Sequence, residues 1–144
     1  MLKNKKTDGW LVFNTADRVQ GTVDECYMLT TTTDAPGPVK RSVFQIVRAE
    51  KMDMFGSDDV VRYGQKVKLM ANPYAFKKDL FVSSFPKSQS CYSPVTRYQE
   101  ASMHIKDDYL GVWIIDSLDP NDRLEMQGEP VRAADPILLR HCQT

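Results

Sequence analysis

Few residues in this chain are of a type that could do chemistry, and their spacing limits what each can do. Only two histidines occur, His104 and His141, and Cys142 directly follows the second. A Cys–His nucleophile needs a base that a third group orients. No acid stands at a ligand-like spacing from either histidine. The pattern therefore favours an ordinary pair at the end of a strand over a catalytic or metal site.

Four acidic residues fall close together near the C-terminal end and could suggest calcium: Asp116, Asp119, Asp122 and Glu125. The order of ligands and the glycine of an EF-hand loop are missing, so a polar turn bordered by acids is favoured. The sequence also contains no P-loop, no GxGxxG and no GxSxG motif. We therefore predict a protein that is not an enzyme and has no metal or cofactor.

The stretch from Val60 to Ser84 is the element around which the chain is organised. Apolar residues dominate its odd positions from Val61 to Leu69, whereas the even positions hold Arg62, Lys66 and Lys68. This period of two is typical of a strand with one face on a core and the other in water.

The same stretch contains the signals of a hairpin. Asn72 and Pro73 end the alternating run and turn the chain, and Leu80–Val82 supplies a second short strand. Gly64 stands inside the first strand, where a glycine indicates a bulge or a close backbone approach. The loop between the strands mixes lysines with the aromatic residues Tyr74 and Phe76.

The remaining segments are short and mostly strand-like. Strands are predicted at Trp10–Phe13, Val19–Leu29, Val43–Val47, Tyr98–Ile105, Tyr109–Ile115, Arg123–Met126 and Ile137–Leu139. Residues 1–8 are polar and Lys-rich and are predicted to form a flexible end, which leaves one domain over 9–144.

Composition is that of a soluble globular protein, and the formal net charge of zero requires neither nucleic acid nor a membrane as partner. The charges are unevenly distributed. Seven basic residues and two acids lie between Val60 and Glu100, whereas four basic and eight acidic residues follow Ala101. The basic middle could face an acidic partner, although a solvated surface with chance clustering is the favoured interpretation of the charges alone.

Neither a targeting segment nor a disulfide framework is indicated. The apolar run Trp10–Phe13 is far too short for a signal core or a membrane span. The cysteines are odd in number and widely spaced, which favours reduced thiols in an intracellular, cytoplasmic protein.

A weak internal repeat suggests how the strands are arranged. Each of two blocks contains an aromatic–Ile strand, a glycine with valine three positions on, and an apolar strand. The glycines, Gly64 and Gly128, lie 64 positions apart. Repeated short strands favour a closed all-β architecture over an open sheet, and a third copy near Ala16–Val19 would complete a β-trefoil.

The residues VVRYGQKVKL followed by LFVSS resemble the MIR motif, a β-trefoil repeat. Gln99 and Glu100 before Trp113 resemble the next MIR strands, which favours a strand over a helix at Tyr98–Ile105. The segment from Arg41 to the end further resembles the cilia- and flagella-associated protein 161 family. The residues that support this likeness are Trp113, Pro120, Arg123, Leu124, Glu125, Gly128, Pro130, Val131, Ile137, Leu138, His141, Cys142 and Thr144.

The resemblance implies a structural microtubule inner protein, which binds and stabilises the luminal wall of axonemal doublet microtubules in motile cilia and flagella. Its implied partners are tubulin and neighbouring microtubule inner proteins. Because tubulin is acidic, the basic hairpin is the predicted contact face. The residues of this face are Arg62, Lys66, Lys68, Lys77 and Lys78.

Two further expectations accompany the resemblance. MIR repeats continue with another strand beyond the position of Thr144, so the trefoil is expected to be incomplete and the chain to be a fragment. The alternative function is a MIR-type module that recognises a glycan or a phosphoinositol. Its basic hairpin would bind phosphate, and aromatic side chains such as Tyr74, Phe76 and Tyr92 would stack on sugar. Packing of these aromatic residues within the hairpin loops is the favoured alternative.

Overall fold

The structure, a computed structural model, describes residues 1–19, 25–51, 54–56, 58–87, 92–93 and 97–143. Nearly all of its regular elements are strands, so the predicted all-β class is confirmed. The elements are β1 (Trp10–Arg18), β2 (Cys26–Thr32), β3 (Phe44–Arg48), β4 (Lys66–Ala71), β5 (Phe81–Ser84), β6 (Ala101–His104), a 3-10 helix (Tyr109–Gly111), β7 (Trp113–Ser117), α1 (Arg123–Met126) and β8 (Ile137–His141).

The strands form one antiparallel sheet in the order β1-β2-β6-β5-β4-β7-β8, and β3 pairs with β4 beside this path. The path is open, because within the described residues β1 and β8 do not pair with each other. The prediction of a closed sheet is therefore wrong for the described strands, whereas the β-trefoil stays a prediction. No helix among the described residues is long and apolar enough to cross a membrane.

The hairpin predicted between Val60 and Ser84 is confirmed as β4 and β5. Met70 lies opposite Phe81, and the Ala71 amide donates to the Leu80 carbonyl at 2.8 Å. The alternation is also confirmed, since Val67 and Leu69 are buried whereas Lys66 is exposed. Strand β3 covers the other edge of β4, so this hairpin lies inside the sheet.

The strand begins at Lys66 rather than Val61, because Arg62–Gln65 form a turn in which the Gln65 amide donates to the Arg62 carbonyl at 3.2 Å. Gly64 has a φ of +81°, which favours glycine, and a Cβ there would lie 3.0 Å from the Gln127 Cγ. The close approach predicted at Gly64 is thus confirmed. The apolar pattern continues upstream because residues 61–63 pair with 128–131: the Tyr63 amide donates to the Glu129 carbonyl at 3.0 Å.

Two groups of buried side chains form the core. The larger one contains Phe13, Tyr27, Leu69, Ala71, Leu80, Val82 and Met103, and the smaller one contains Tyr63, Val67 and Ile115. Trp113 and Leu139 pack against both groups and join them. The Trp113 indole also donates to the Val82 carbonyl at 2.8 Å, which fixes β7 relative to β5.

The strand predicted at Arg123–Met126 is wrong, because this segment is a single helical turn. The polar turn before it leads directly into helical geometry, and the Met126 amide donates to the Asp122 carbonyl at 2.8 Å. All four residues are acceptable helix formers. Leu124 is 85% exposed, so burial against a sheet does not favour an extended conformation at this residue.

The strand predicted at Tyr109–Ile115 is correct only from Trp113 onwards. The Asp108 side chain accepts a hydrogen bond from the Leu110 amide at 2.9 Å and caps a 3-10 helix at Tyr109–Gly111. This local bond replaces strand pairing over those three residues.

Near the N-terminus, the predicted strand Val19–Leu29 is β2, but it begins at Cys26 and runs to Thr32. Residues 20–24 of the predicted strand lie outside the described residues. Tyr27 in β2 is buried. The flexibility of residues 1–8 and the domain limits 9–144 stay predictions. Residues at the start of the chain lie along β1, where the Leu11 amide donates to the Leu2 carbonyl at 2.9 Å.

Candidate interaction surface

The five predicted contact residues do not form one free basic face. Arg62 lies in the turn before β4, Lys66 and Lys68 lie on β4, and Lys77 and Lys78 lie in the loop after it. Lys66 is thus the first residue of the strand, whereas Lys78 lies in the loop beyond its end. The structure brings Lys66 and Lys68 onto one side of the sheet and separates them from the loop lysines.

Arg62 and Lys66 are already paired within the chain. The Arg62 guanidinium lies 2.7 Å from the Asp58 carboxylate and also donates to the Gly128 carbonyl at 3.0 Å. The Lys66 ammonium lies 3.0 Å from the Glu50 carboxylate. These bonds lower the pKa of Asp58 and raise the pKa of Lys66, because each partner stabilises the charged form of the other.

Lys68 is the least accessible of the five. Its ammonium pairs with the Asp107 carboxylate and lies 5.9 Å from the centre of the Phe81 ring, and its side chain is only 13% exposed. The segment after β6 therefore covers this charge. A partner could reach Lys68 only by displacing Asp107.

Among the ion pairs of the hairpin within the described residues, the one formed by Lys78 spans the greatest distance along the sequence. The Lys78 Nζ lies 2.7 Å from Glu25 Oε2, 53 residues away along the chain. Glu25 also accepts the Tyr27 hydroxyl, and Arg18 lies 3.5 Å from it. The bonds from Lys78 and Tyr27 lower the pKa of Glu25 and keep it charged.

Lys77 differs from the other four. Its side chain is exposed, and within the described part of the chain it has no carboxylate partner. Because an unpaired surface ammonium needs no internal bond to be broken on binding, Lys77 is the most available positive charge of the predicted set.

The three aromatic residues proposed for stacking have three different environments. The Phe76 ring packs against the Phe13 ring, with centroids 5.2 Å apart, and so belongs to the core. The Tyr92 ring lies 5.0 Å from the Arg97 guanidinium, and its hydroxyl accepts from Arg97 at 2.7 Å. Only Tyr74 of the three is almost fully open, with 98% of its surface exposed.

Both histidine side chains have partners within the protein. The His141 Nε2 lies 2.9 Å from the Leu110 carbonyl oxygen, and its ring is 4.9 Å from the Trp113 ring. His104 is fully buried, and its Nδ1 accepts from the Lys106 amide at 3.2 Å. Partial burial raises the pKa of the Cys142 thiol, which reduces its nucleophilic thiolate form at neutral pH.

The four clustered acids do not converge on one point. The Asp116 carboxylate accepts from the Arg140 guanidinium at 2.8 Å, and Asp119 accepts from the Asn121 amide at 2.9 Å within its own turn. Across the described residues no group of three or more His, Cys, Asp or Glu is arranged to hold a metal ion.

Comparison with known proteins agrees with the resemblance found in the sequence. Residues 12–144 match the cilia- and flagella-associated protein 161-like domain. The chain belongs to this family. It is 35% identical over 107 residues to the cilia- and flagella-associated protein 161 of Danio rerio, an alignment that covers 74% of this chain and 34% of the fish protein.

The protein of the same name from Bos taurus is 34% identical over 107 residues, which cover 74% of this chain and 32% of the bovine protein. The chain thus spans about a third of the length of the curated relatives it matches. The region shared with the cilia- and flagella-associated protein 161 family includes the whole β4–β5 hairpin and all five predicted contact residues.

Proposed function

We propose that this chain is a structural, non-enzymatic protein of the axoneme that binds the luminal wall of doublet microtubules and stabilises them. The observation that supports the proposal is the family match over residues 12–144, together with relatives named cilia- and flagella-associated proteins. Tubulin and neighbouring microtubule inner proteins are the proposed partners, and the lumen of the doublet in cilia or flagella is the proposed location.

The fold suits a lattice-bound protein. Ion pairs connect its loops with distant parts of the sheet, as Lys78 does with Glu25 and Lys68 does with Asp107. Repeated contacts along a microtubule would add avidity to weak individual sites. A module with several fixed loops can contact different neighbours without changing shape.

The MIR-like β-trefoil is part of the same proposal. In its favour, the two repeated glycines lie in similar turns, with φ of +81° at Gly64 and +89° at Gly128. The turns also contact each other, since the Gly128 amide donates to the Tyr63 carbonyl at 2.9 Å. Two related units that pair through equivalent turns are consistent with a repeated β architecture.

The basic hairpin remains the proposed tubulin contact, with unequal roles for its residues. Lys77 is available as it stands, and Lys78 is exposed but shared with Glu25. Arg62, Lys66 and Lys68 would first have to leave Asp58, Glu50 and Asp107. The same internal pairing gives no support to a phosphate-binding module, which needs several free cations at one place.

Fractionation of axonemes tests the proposal directly. Cilia or flagella of an organism that encodes this chain are extracted with detergent and then with high salt, and the chain is followed by mass spectrometry. Retention with the salt-washed doublets is the expected result. Release into the detergent or the salt fraction would contradict a luminal, lattice-bound role.

A further inference from the structure

The tip of the β4–β5 hairpin is a turn held by two hydrogen bonds. The Ala75 amide donates to the Asn72 carbonyl at 3.0 Å, and the Tyr74 amide donates to the Asn72 side-chain oxygen at 3.0 Å. Pro73 fixes the backbone between them. The backbone that presents Tyr74 is therefore ordered before any partner arrives.

Contacts on both sides hold this turn to the body of the protein. Before it, Ala71 is buried and bonds to Leu80 across the hairpin. After it, the Phe76 ring packs against Phe13, and Lys78 pairs with Glu25. The two aromatic residues of this loop therefore differ in burial: Phe76 packs against the core, and Tyr74 projects into solvent.

The exposure of Tyr74 stands out among the tyrosines. Its 98% exposed surface compares with 76% for Tyr98 and 62% for Tyr109 on the 3-10 helix. A tyrosine has only two side-chain torsions and a large contact area, so it loses little entropy when a partner buries it. On a fixed turn, most of that area is available to a binding partner.

We propose that Tyr74 is the anchor of a protein-binding site at the tip of the hairpin, and that Lys77 supplies its charge. The partner that fits is an acidic protein surface with a recess for a phenol ring, because the ammonium of Lys77 is unpaired within the described part of the chain. This inference rests on the proposed function, under which the acidic surface belongs to tubulin.

The site differs from the basic face predicted from the sequence. Its main contribution is an aromatic ring rather than a row of charges, and it uses one lysine of the five. Its salt dependence should accordingly be weak, since few charges are neutralised on binding.

Binding of the full 144-residue chain to unpolymerised tubulin, whose luminal face is accessible, tests the site. Affinities are measured by thermophoresis at one ionic strength for the wild type, Tyr74→Ala and the control Tyr109→Ala. We expect Tyr74→Ala to weaken binding about 30-fold, as loss of a central aromatic anchor does, and Tyr109→Ala to leave it unchanged. A second pair, Lys77→Glu and Lys5→Glu, compares charge reversal at the tip with the same change near the N-terminus.

The outcomes separate the inference from the proposed function. Wild-type binding that Tyr74→Ala does not weaken, or that Tyr109→Ala weakens as much, would overturn the Tyr74 anchor and leave tubulin as the partner. Equal effects of Lys77→Glu and Lys5→Glu would overturn the role of Lys77. A wild type that does not bind tubulin at all would overturn the partner itself. Both tyrosines are exposed, so circular dichroism should show all variants folded.

Discussion

Glu25 and Lys78 form an ion pair with 2.7 Å between carboxylate and ammonium, although 53 residues separate them in the sequence. The pair joins the start of β2 to the loop of the β4–β5 hairpin. Glu25 is also bonded to the Tyr27 hydroxyl and lies near Arg18. One carboxylate thus connects the end of β1, the start of β2 and the hairpin loop.

Replacement of Glu25 by Gln should destabilise the protein more than the loss of a simple surface pair. We expect Glu25→Gln to lower the melting temperature by about 2 °C, because several bonds to one carboxylate weaken together. The matched control is Glu50→Gln, which removes the single pair with Lys66 and should have a smaller effect. Equal melting temperatures for the two variants, by differential scanning calorimetry, would contradict the proposed role of Glu25.

The contribution of Glu25 should depend on pH in the acid range. Its pKa in the folded protein is lowered from the ordinary value of 4.5, chiefly by the bond from Lys78. Its stabilising effect is therefore complete above the unfolded pKa and is lost as the pH falls through the folded pKa. The stability difference between wild type and Glu25→Gln should be constant at neutral pH and should shrink below about pH 4.5. Urea denaturation at a series of pH values measures this stability difference. A difference that grows as the pH falls would contradict a lowered pKa of Glu25 in the folded protein.

Much of the sheet could be predicted from the sequence because its signals are local. The alternation through Val67 and Leu69 identified β4, and the Asn-Pro pair identified the turn after it. Short segments without a clear period were predicted less well. Arg123–Met126 is too short for periodicity to distinguish a strand from a helical turn, and the polar turn before it decided the outcome.

The candidate site was only partly predictable for a different reason. The basic residues were visible in the sequence, but their carboxylate partners were not. Asp107 is 39 residues from Lys68, and Glu25 is 53 from Lys78, so only the three-dimensional pairing of strands reveals them. The sequence also does not reveal that Tyr74 is exposed and Phe76 is packed against the core, since both are aromatic residues of one loop.

Gly64 should be sensitive to replacement by alanine. Its φ of +81° disfavours any side chain, and a Cβ would also approach the Gln127 Cγ to 3.0 Å. We expect Gly64→Ala to cost about 1–2 kcal/mol in the free energy of unfolding. Gly56 is the matched control, with a φ of +89° but no atom within 4 Å of the added Cβ. Urea titration of both variants separates backbone strain from contact, and a Gly56→Ala variant less stable than Gly64→Ala would contradict the close approach at Gly64.

Of the two tryptophans, Trp113 should be the more sensitive to replacement, because its side chain joins both core groups and donates to the Val82 carbonyl at 2.8 Å. Trp113→Phe keeps a ring in contact with His141 but leaves the Val82 carbonyl without this donor. We expect a loss of about 2 kcal/mol in the free energy of unfolding, from one lost hydrogen bond and a smaller ring. Trp10→Phe, at the edge strand β1, is the matched control and should cost much less. If chemical denaturation gave both variants the same stability, Trp113 would not be the connection between the two core groups.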